Sequence, residues 1–580
     1  MSLLAGFTMG SSPTWRLVQV VVSINIGSHF MLYLDGVVDN LLPAAGTFLI
    51  KHYGSEEEGS RKWELMVSLR MYGLALGCLL STFLSRRWGR KPQVLLGMVL
   101  NIVGVLLTSI IMLVPGGLAA AHLGRFVNGC GQGIVQTAGT VMLLELPPRR
   151  CRGTVLATMT VFACVGELLS MTISLEEILG NEARWPWAMA VPILVLIPSL
   201  LLLLRAPESP RYLFMEHRTD LAMASLDYYQ SPTDAKKTIS DMQAEMAHSD
   251  DVDLNANGGP TTKRRDSRED KEALLGHPVQ SITPKSRMRE PRFLRPLFVG
   301  CVLHSLVHLD DWLWISYSTH IFERHGFGVS AAQKASLVMS LPQSIMSIGL
   351  ISIFEKFPRK TLLVFPTFVS AIIGAVSIFS LRFSAKDHSS VSLSSCLLPF
   401  LASIDLCMAG VAGESAFTIV PELFLYQDRI LGTAMCGIAQ SLFGGLLLNY
   451  LLSAINFFGT DKVLIPFVVG NVFYAFFTVV YVPETSMKSP QEVAELLERT
   501  FARRSSISGL VPDRLREIAR RLLAKPGVSV AWQGIVLLSQ LVICFLLINM
   551  ALIAVTYVFP RASSILVVPD RHILRSAKPE

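Results

Sequence analysis

Seven acids stand inside long apolar runs of the chain: Asp35, Asp39, Glu167, Asp310, Asp311, Asp405 and Glu414. Against them, in the same kind of sequence, stand Arg70, Arg125, His29, His304 and His308. Holding a charge at membrane depth costs about 3 kcal/mol, so such residues default to functional roles. Spacing narrows the chemistry. Glu167 follows Thr160 by seven residues, which puts both on one face of a helix. His304, His308 and Asp311 fall at i, i+4 and i+7, a single stripe that suits a proton relay, a bound cation, or a buried and satisfied histidine pair. Three ligands on one helix do not make a zinc site without a partner helix, and no metal is expected. The bland alternative is an acid at a span end reaching into headgroups, which fits Asp39 best, then Asp310 and Asp311. No GxSxG, Walker A or HExxH run occurs. Neither an enzyme, a cofactor nor a nucleic-acid partner is therefore expected.

The elements that position these residues are membrane spans. Hydrophobic residues make up 51% of the chain and charged residues 16%, with a mean hydropathy of +0.47. A soluble protein of this length needs a larger charged shell. Spans are expected at roughly 17–49, 63–85, 92–114, 118–146, 153–177 and 185–205, then at 294–322, 332–354, 361–382, 394–424, 430–456 and 463–483. Met1 to Arg16 lacks the features of a cleavable signal, so the first run is expected to be a true span. The nine cysteines lie mostly inside spans without CxxC spacing and are expected to pack rather than bridge.

Basic residues set the orientation. Arg86, Arg87, Arg90 and Lys91 follow span 2, Arg149, Arg150 and Arg152 follow span 4, and Lys356, Arg359 and Lys360 follow span 8. These loops, the N-terminus and the polar stretch from Ala206 to Arg292 are therefore expected in the cytoplasm. Within that stretch, Asn255 to Arg265 reads as disordered linker. Val528 to Phe559 is a further apolar run after a basic segment and is expected to cross as a thirteenth span, although the tail beyond it carries Arg561, Arg571, Arg575 and Lys578.

The charged motifs repeat between halves. The first half has Arg86-Arg87-Trp88-Gly89-Arg90-Lys91, Gly124-Arg125-Phe126, Glu145 with Arg152-Gly153, and Pro207-Glu208-Ser209-Pro210-Arg211. The second has Glu355, Arg359-Lys360, Glu422-Leu423-Phe424, Arg429 and Val482-Pro483-Glu484-Thr485. Together, over about residues 17 to 487, they resemble a major facilitator sugar porter of the glucose-transporter type.

That resemblance implies an all-α membrane protein with the major facilitator fold, built as two six-helix bundles with pseudo-two-fold symmetry. The expected units are an N-terminus (1–16), a first bundle (17–205), a cytoplasmic linker (206–292), a second bundle (293–484), a basic segment (485–527), an additional C-terminal span (528–560) and a tail (561–580). Its partners would be the lipid bilayer and a small-molecule substrate, and its place a multi-pass position in the plasma membrane.

Physically, Glu145, Glu208, Glu422 and Glu484 can accept paired hydrogen bonds from Arg90, Arg152, Arg359 and Arg429. With Arg211 and Glu355 these form a candidate cytoplasmic gate that would hold the outward-facing state.

The substrate site departs from the family. Where span 7 carries amides that bind sugar hydroxyls, this chain has Leu306, Val307 and Trp312; the span 5 glutamine is Thr160. The Pro/Gly run of span 10 reads Val411 to Phe417 and includes Glu414, and the span 11 Asn-Trp pair is Gln440-Ser441. Amides persist at Gln343 and Gln440. The candidate substrate-binding residues are thus Thr160, Glu167, His304, His308, Asp311, Trp312, Gln343, Glu414, Phe417 and Gln440. Proton-coupled members pair a span 1 acid in Tyr-Asp-x-Gly with the span 4 arginine; here Tyr33-Leu34-Asp35-Gly36 displaces the acid by one residue, about 100° round a helix. Asp35 should therefore miss Arg125 unless the helix is locally unwound. The leading expectation is a carrier of a small polar solute working by alternating access, with hexose the family default and proton coupling open. A carrier of a cationic organic solute and a non-transporting sensor or scaffold are the alternatives.

Overall fold

A computed structural model describes residues 15–507, apart from 86, 112–116, 149–150, 244–289, 354–356, 385–392, 426–427, 487 and 489. Twelve long helical segments run through it. The first six are Trp15–Asn40, Glu56–Leu84, Arg90–Ser109, Gly117–Glu145, Arg152–Ile173 and Trp185–Leu204. The second six are Pro291–Arg324, Val329–Ile353, Arg359–Arg382, Leu397–Glu422, Arg429–Phe458 and Thr460–Tyr481. They are numbered here as spans 1 to 12. Among the described residues, ten of them are long and apolar enough to cross a membrane; the other two, spans 4 and 8, are 29 and 25 residues long.

The pairings repeat. In the first half span 4 packs on spans 2 and 3, span 6 on span 3, and span 1 on span 5. In the second half span 10 packs on spans 8 and 9, span 12 on span 9, and span 7 on span 11. The halves meet along two seams, span 2 against span 11 and span 5 against span 8, which exchange under the same six-helix offset. This is the pseudo-two-fold bundle pair expected from the repeated motifs.

Small residues bring the helices together, because lipid offers no hydrophobic drive for helices to associate and close backbone contact must do so instead. A Cβ on Gly129 of span 4 would collide with the carbonyl oxygen of Arg70 on span 2, and one on Gly133 with that of Leu74. A Cβ on the reciprocal Gly73 would collide with the carbonyl of Phe126. Seven cysteines in the described residues carry free thiols.

Three spans are not the simple rods expected. Span 1 breaks into helical pieces, with a π turn at Ile26–Phe30 and a change of bonding at Asp35–Gly36. Span 6 is interrupted between Trp185–Ala188 and Ile193–Leu204. Span 7 is interrupted at Val307–His308. The polar stretch after span 6 also folds at its start. Helices Pro210–Met215 and Thr219–Tyr229 come next, with Leu213, Phe214, Ala222 and Met242 forming a small apolar cluster. Asn255 to Arg265, the run from Val528 to Phe559 and the tail lie outside the described residues.

Replacing Gly129 by Val should force spans 2 and 4 apart at a cost of about 2 kcal/mol or more. Gly46, with nothing within 4 Å of its Cβ position, is the control. Gly46→Ala should leave the melting temperature unchanged or raise it slightly. Thermal melting of the two purified variants in one detergent checks the pair.

Candidate functional site

The deepest charges form one cluster. Arg125 Nη1 lies 2.5 Å from Asp35 Oδ2, and its Nη2 lies 2.7 Å from Asp39 Oδ1. Arg70 approaches both acids, at 3.8 Å each. All four side chains are at most 6% exposed, and Arg125 is 0% exposed. Two acids balance two bases, so the group carries no net charge when every member is ionised.

The broken helix makes this possible. Gly36 N donates to Tyr33 O rather than to Leu32 O, which leaves the Leu32 carbonyl to accept from Arg70 Nη1 at 2.5 Å. Likewise Asp39 N turns to Gly36 O, and the Asp35 carbonyl accepts from Arg125 Nη1 at 3.2 Å. The π turn upstream accommodates one extra residue, which rotates the remainder of span 1 back by about 100°. The acid meets Arg125 where span 1 departs from regular helical bonding. The reading of Asp39 as a headgroup acid is overturned: it is 2% exposed and held by Arg125 and by Ser316 Oγ at 3.3 Å. Asp310 and Asp311 are also buried rather than interfacial. Asp310 accepts from Asn471 Nδ2 at 2.8 Å, and Asp405 accepts from Trp314 Nε1 at 3.0 Å.

Beside this cluster lies a cavity between the halves. Of the candidate substrate residues, Thr160, His308, Asp311, Gln343, Glu414 and Phe417 line it. Its free volume of about 20 Å³ holds about one water molecule, so the halves must part before a solute can enter. Glu167 is buried beside Asp311 with neither carboxylate oxygen hydrogen-bonded, but it is not among the lining residues. His304 is also set back, its ring packed on Phe417 at 5.1 Å, and Gln440 does not line the cavity. The His304–His308–Asp311 stripe is not continuous, because span 7 breaks just before His308. His308 Nδ1 instead joins Asp311 Oδ2 at 2.8 Å across the new helix start. Trp312 packs on Phe443 and against Gly444, where it fills the space a Cβ would need.

His29, Tyr33 and Cys164 line the cavity and were not singled out as binding residues. The signal was present for two of them. His29 and Tyr33 are four residues apart, so one face of span 1 carries both.

On the basic-loop side, Arg90 and Arg359 each pair with an acid of their own half. Arg90 grips Glu145 with Nε at 3.1 Å and Nη2 at 3.3 Å, and Ser209 Oγ donates to the same carboxylate at 2.5 Å. Glu208 accepts from the backbone amides of Arg90 and Lys91 at 3.0 and 3.1 Å. The second half copies this: Arg359 pairs with Glu422, and Glu484 accepts from the amides of Arg359 and Lys360, each at 3.1 Å. Glu208 and Glu484 are therefore caps on the N-termini of spans 3 and 9, where backbone amides and the helix dipole favour a carboxylate. Arg429 Nε donates to Pro421 O at 2.9 Å. Arg152 and Arg211 are described and also have polar partners; Glu355 lies outside the described residues.

On the opposite side the halves are bonded to each other. Glu64 of span 2 accepts from Ser453 N and Oγ of span 11 at 2.7 and 2.6 Å, and Ser68 donates to Asn449 at 3.1 Å. Lys334 pairs with Glu177 at 2.6 Å, and Gln333 accepts from Glu176 N at 2.9 Å. Asn40 Nδ2 reaches Ile315 O at 3.2 Å.

A family profile described as sugar (and other) transporter matches residues 20–497. The chain belongs to that family. It is a multi-pass membrane transporter and not an enzyme. Among its relatives, human solute carrier family 2, facilitated glucose transporter member 11, is 24% identical over 454 residues, covering 76% of this chain and 84% of the relative. The probable metabolite transport protein CsbC of Bacillus subtilis is 24% identical, covering 77% and 88%. Mouse facilitated glucose transporter member 3 is 25% identical, covering 84% and 94%. In structure, the proton:xylose symporter XylE bound to 6-bromo-6-deoxy-D-glucose superposes with a TM-score of 0.65 at 17% identity, covering 83% of this chain and 99% of that one. The partially occluded inward-open XylE from E. coli gives 0.61 at 16% identity, covering 82% and 100%. These likenesses establish the major facilitator fold.

Neutralising Asp39 alone leaves two buried guanidinium groups with one acid. Asp39→Asn should cost about 3 kcal/mol, as for other broken buried pairs. Adding Arg70→Gln should restore much of the loss, because the cluster is again balanced. Thermal melting of the two single variants and the double variant reads the coupling.

Proposed function

We propose that this chain carries a sugar across the plasma membrane by alternating access and couples the step to a proton at Asp35. The observation that carries the coupling is the Asp35–Arg125 contact of 2.5 Å, sealed from water beside the cavity. The relatives named as facilitated glucose transporters and a fold neighbour named as a proton:xylose symporter support the sugar and the proton respectively.

The groups facing Asp35 set the sign. Arg125 comes from span 4, Arg70 from span 2, and Asp39 from its own span. Protonating Asp35 removes one negative charge from a balanced set. Arg125 then keeps Asp39 as its main partner, and Asp39 is also bonded to Ser316 in the other half. A proton on Asp35 thus shifts load onto the link between the halves, and its release restores the resting pairing. The interior pairs of Arg90, Arg359 and their acids stay within their halves and stiffen each as it rocks, with Glu208 and Glu484 holding the loops at their ends. The cytoplasmic linker at 206–292 tethers the two bundles.

In proteoliposomes, the protein should exchange labelled hexose in counterflow and accumulate it when the outside is acidified. Asp35→Asn should keep the exchange and lose the pH-driven accumulation. Unchanged pH dependence in that variant would remove Asp35 from the coupling.

A further inference from the structure

We infer that the central cavity is built for an aminated sugar, a polyol ring bearing a primary ammonium group. The inference rests on the sugar-carrier reading and names the substrate class within it. Three acceptor oxygens of lining side chains have no hydrogen-bond partner: Asp311 Oδ1, Gln343 Oε1 and Glu414 Oε1. Each of these residues is 4% exposed or less. A primary ammonium supplies three donors and no acceptor, which matches that set in number and in kind.

The charge points the same way. Among the described residues, no lysine or arginine lines the cavity. Arg70 and Arg125 are committed to Asp35 and Asp39, and Arg359, the base whose charge reaches Glu414, is paired with Glu422. Glu167 adds a further buried carboxylate beside Asp311 from the first half, while Asp311 and Glu414 come from the second. An acid that ionises here carries a high desolvation cost, which a cation offsets and neutral hydroxyl groups do not. A cation seated here is attracted by acids of both halves and so draws them together. Phe417 also lines the cavity, packed against the rings of His29, His304 and His308. The ring nitrogens His29 Nε2 and His308 Nε2, also unpartnered, remain for the hydroxyls. A site made for a neutral hexose would instead present amides, and Gln343 is the one amide among the lining residues.

The test is counterflow in proteoliposomes of the full-length protein with labelled glucosamine, glucose and N-acetylglucosamine, whose acetyl group removes the charge. Glucosamine should exchange at least about tenfold faster than either neutral sugar at low concentration, the size of one charge-assisted hydrogen bond. Glu414→Gln should reduce that preference while glucose exchange stays measurable. Equal exchange of glucose and glucosamine by the wild-type protein would overturn the amine inference and leave the sugar-carrier reading standing. Preference for glucose would do the same and would point to protonated lining acids acting as donors. Exchange of none of the three sugars would overturn the sugar-carrier reading itself, and the amine inference with it.

Discussion

The backbone of span 1 beside the cavity is arranged around the need to give four buried ionisable side chains partners in a place without water. Arg70 and Arg125 satisfy Asp35 and Asp39 only because span 1 gives up its regular bonding where they meet. A continuous helix would have used the Leu32 carbonyl for Gly36 N, and Arg70 would have lost an acceptor. The loss of one helical bond in span 1 is small beside the cost of an unpaired guanidinium, so the break is the lower-energy solution. The same break leaves Asp39 within reach of Ser316 and Asn40 within reach of Ile315, both on span 7. A charge cluster of the first half is thereby bonded to the second.

That bond lies with the others that close the side away from the basic loops. Glu64–Ser453 and Ser68–Asn449 tie span 2 to span 11, and Glu177–Lys334 ties the loop after span 5 to span 8. The exposed Glu177–Lys334 pair contributes little by itself, since water and salt screen it. The buried Glu64 contacts are worth more, because a carboxylate accepting two short bonds loses both when the halves part. On the other side, Glu145 and Glu422 hold their arginines within one bundle. In this conformation those acids therefore bond within each half, and the contacts between halves lie on the side away from the basic loops. Of the four acids expected to pair with arginines, Glu145 and Glu422 do so, while Glu208 and Glu484 accept from backbone amides at helix starts.

The fold was legible in the sequence because it is written in redundant signals. Span lengths, basic loops and charged motifs all repeat between residues 17 and 487, and each alone would have been weak. The site was legible in part. Thr160, His308, Asp311, Gln343, Glu414 and Phe417, most of them candidates through the family resemblance, line one cavity. What failed was anything that assumed a regular helix. The stripe on span 7 and the miss of Asp35 on Arg125 both assume 3.6 residues per turn, and spans 1 and 7 each depart from that period where the chemistry lies. Asp39 was misjudged for a related reason. Its place near the end of an apolar run suggests an interface, while its partners come from spans 2 and 4, which no local pattern reveals.

The departures share a location. Spans 1 and 7 are both interrupted beside the cavity, and Tyr33 and His308 near those breaks line it. Irregular backbone at membrane depth is tolerated where it is buried in protein or lines a cavity. Here it does both, since Tyr33 and His308 flank the breaks and line the same space. The irregularity that makes these positions hard to read from sequence is thus also what brings Tyr33 and His308 to one cavity from two halves of the chain.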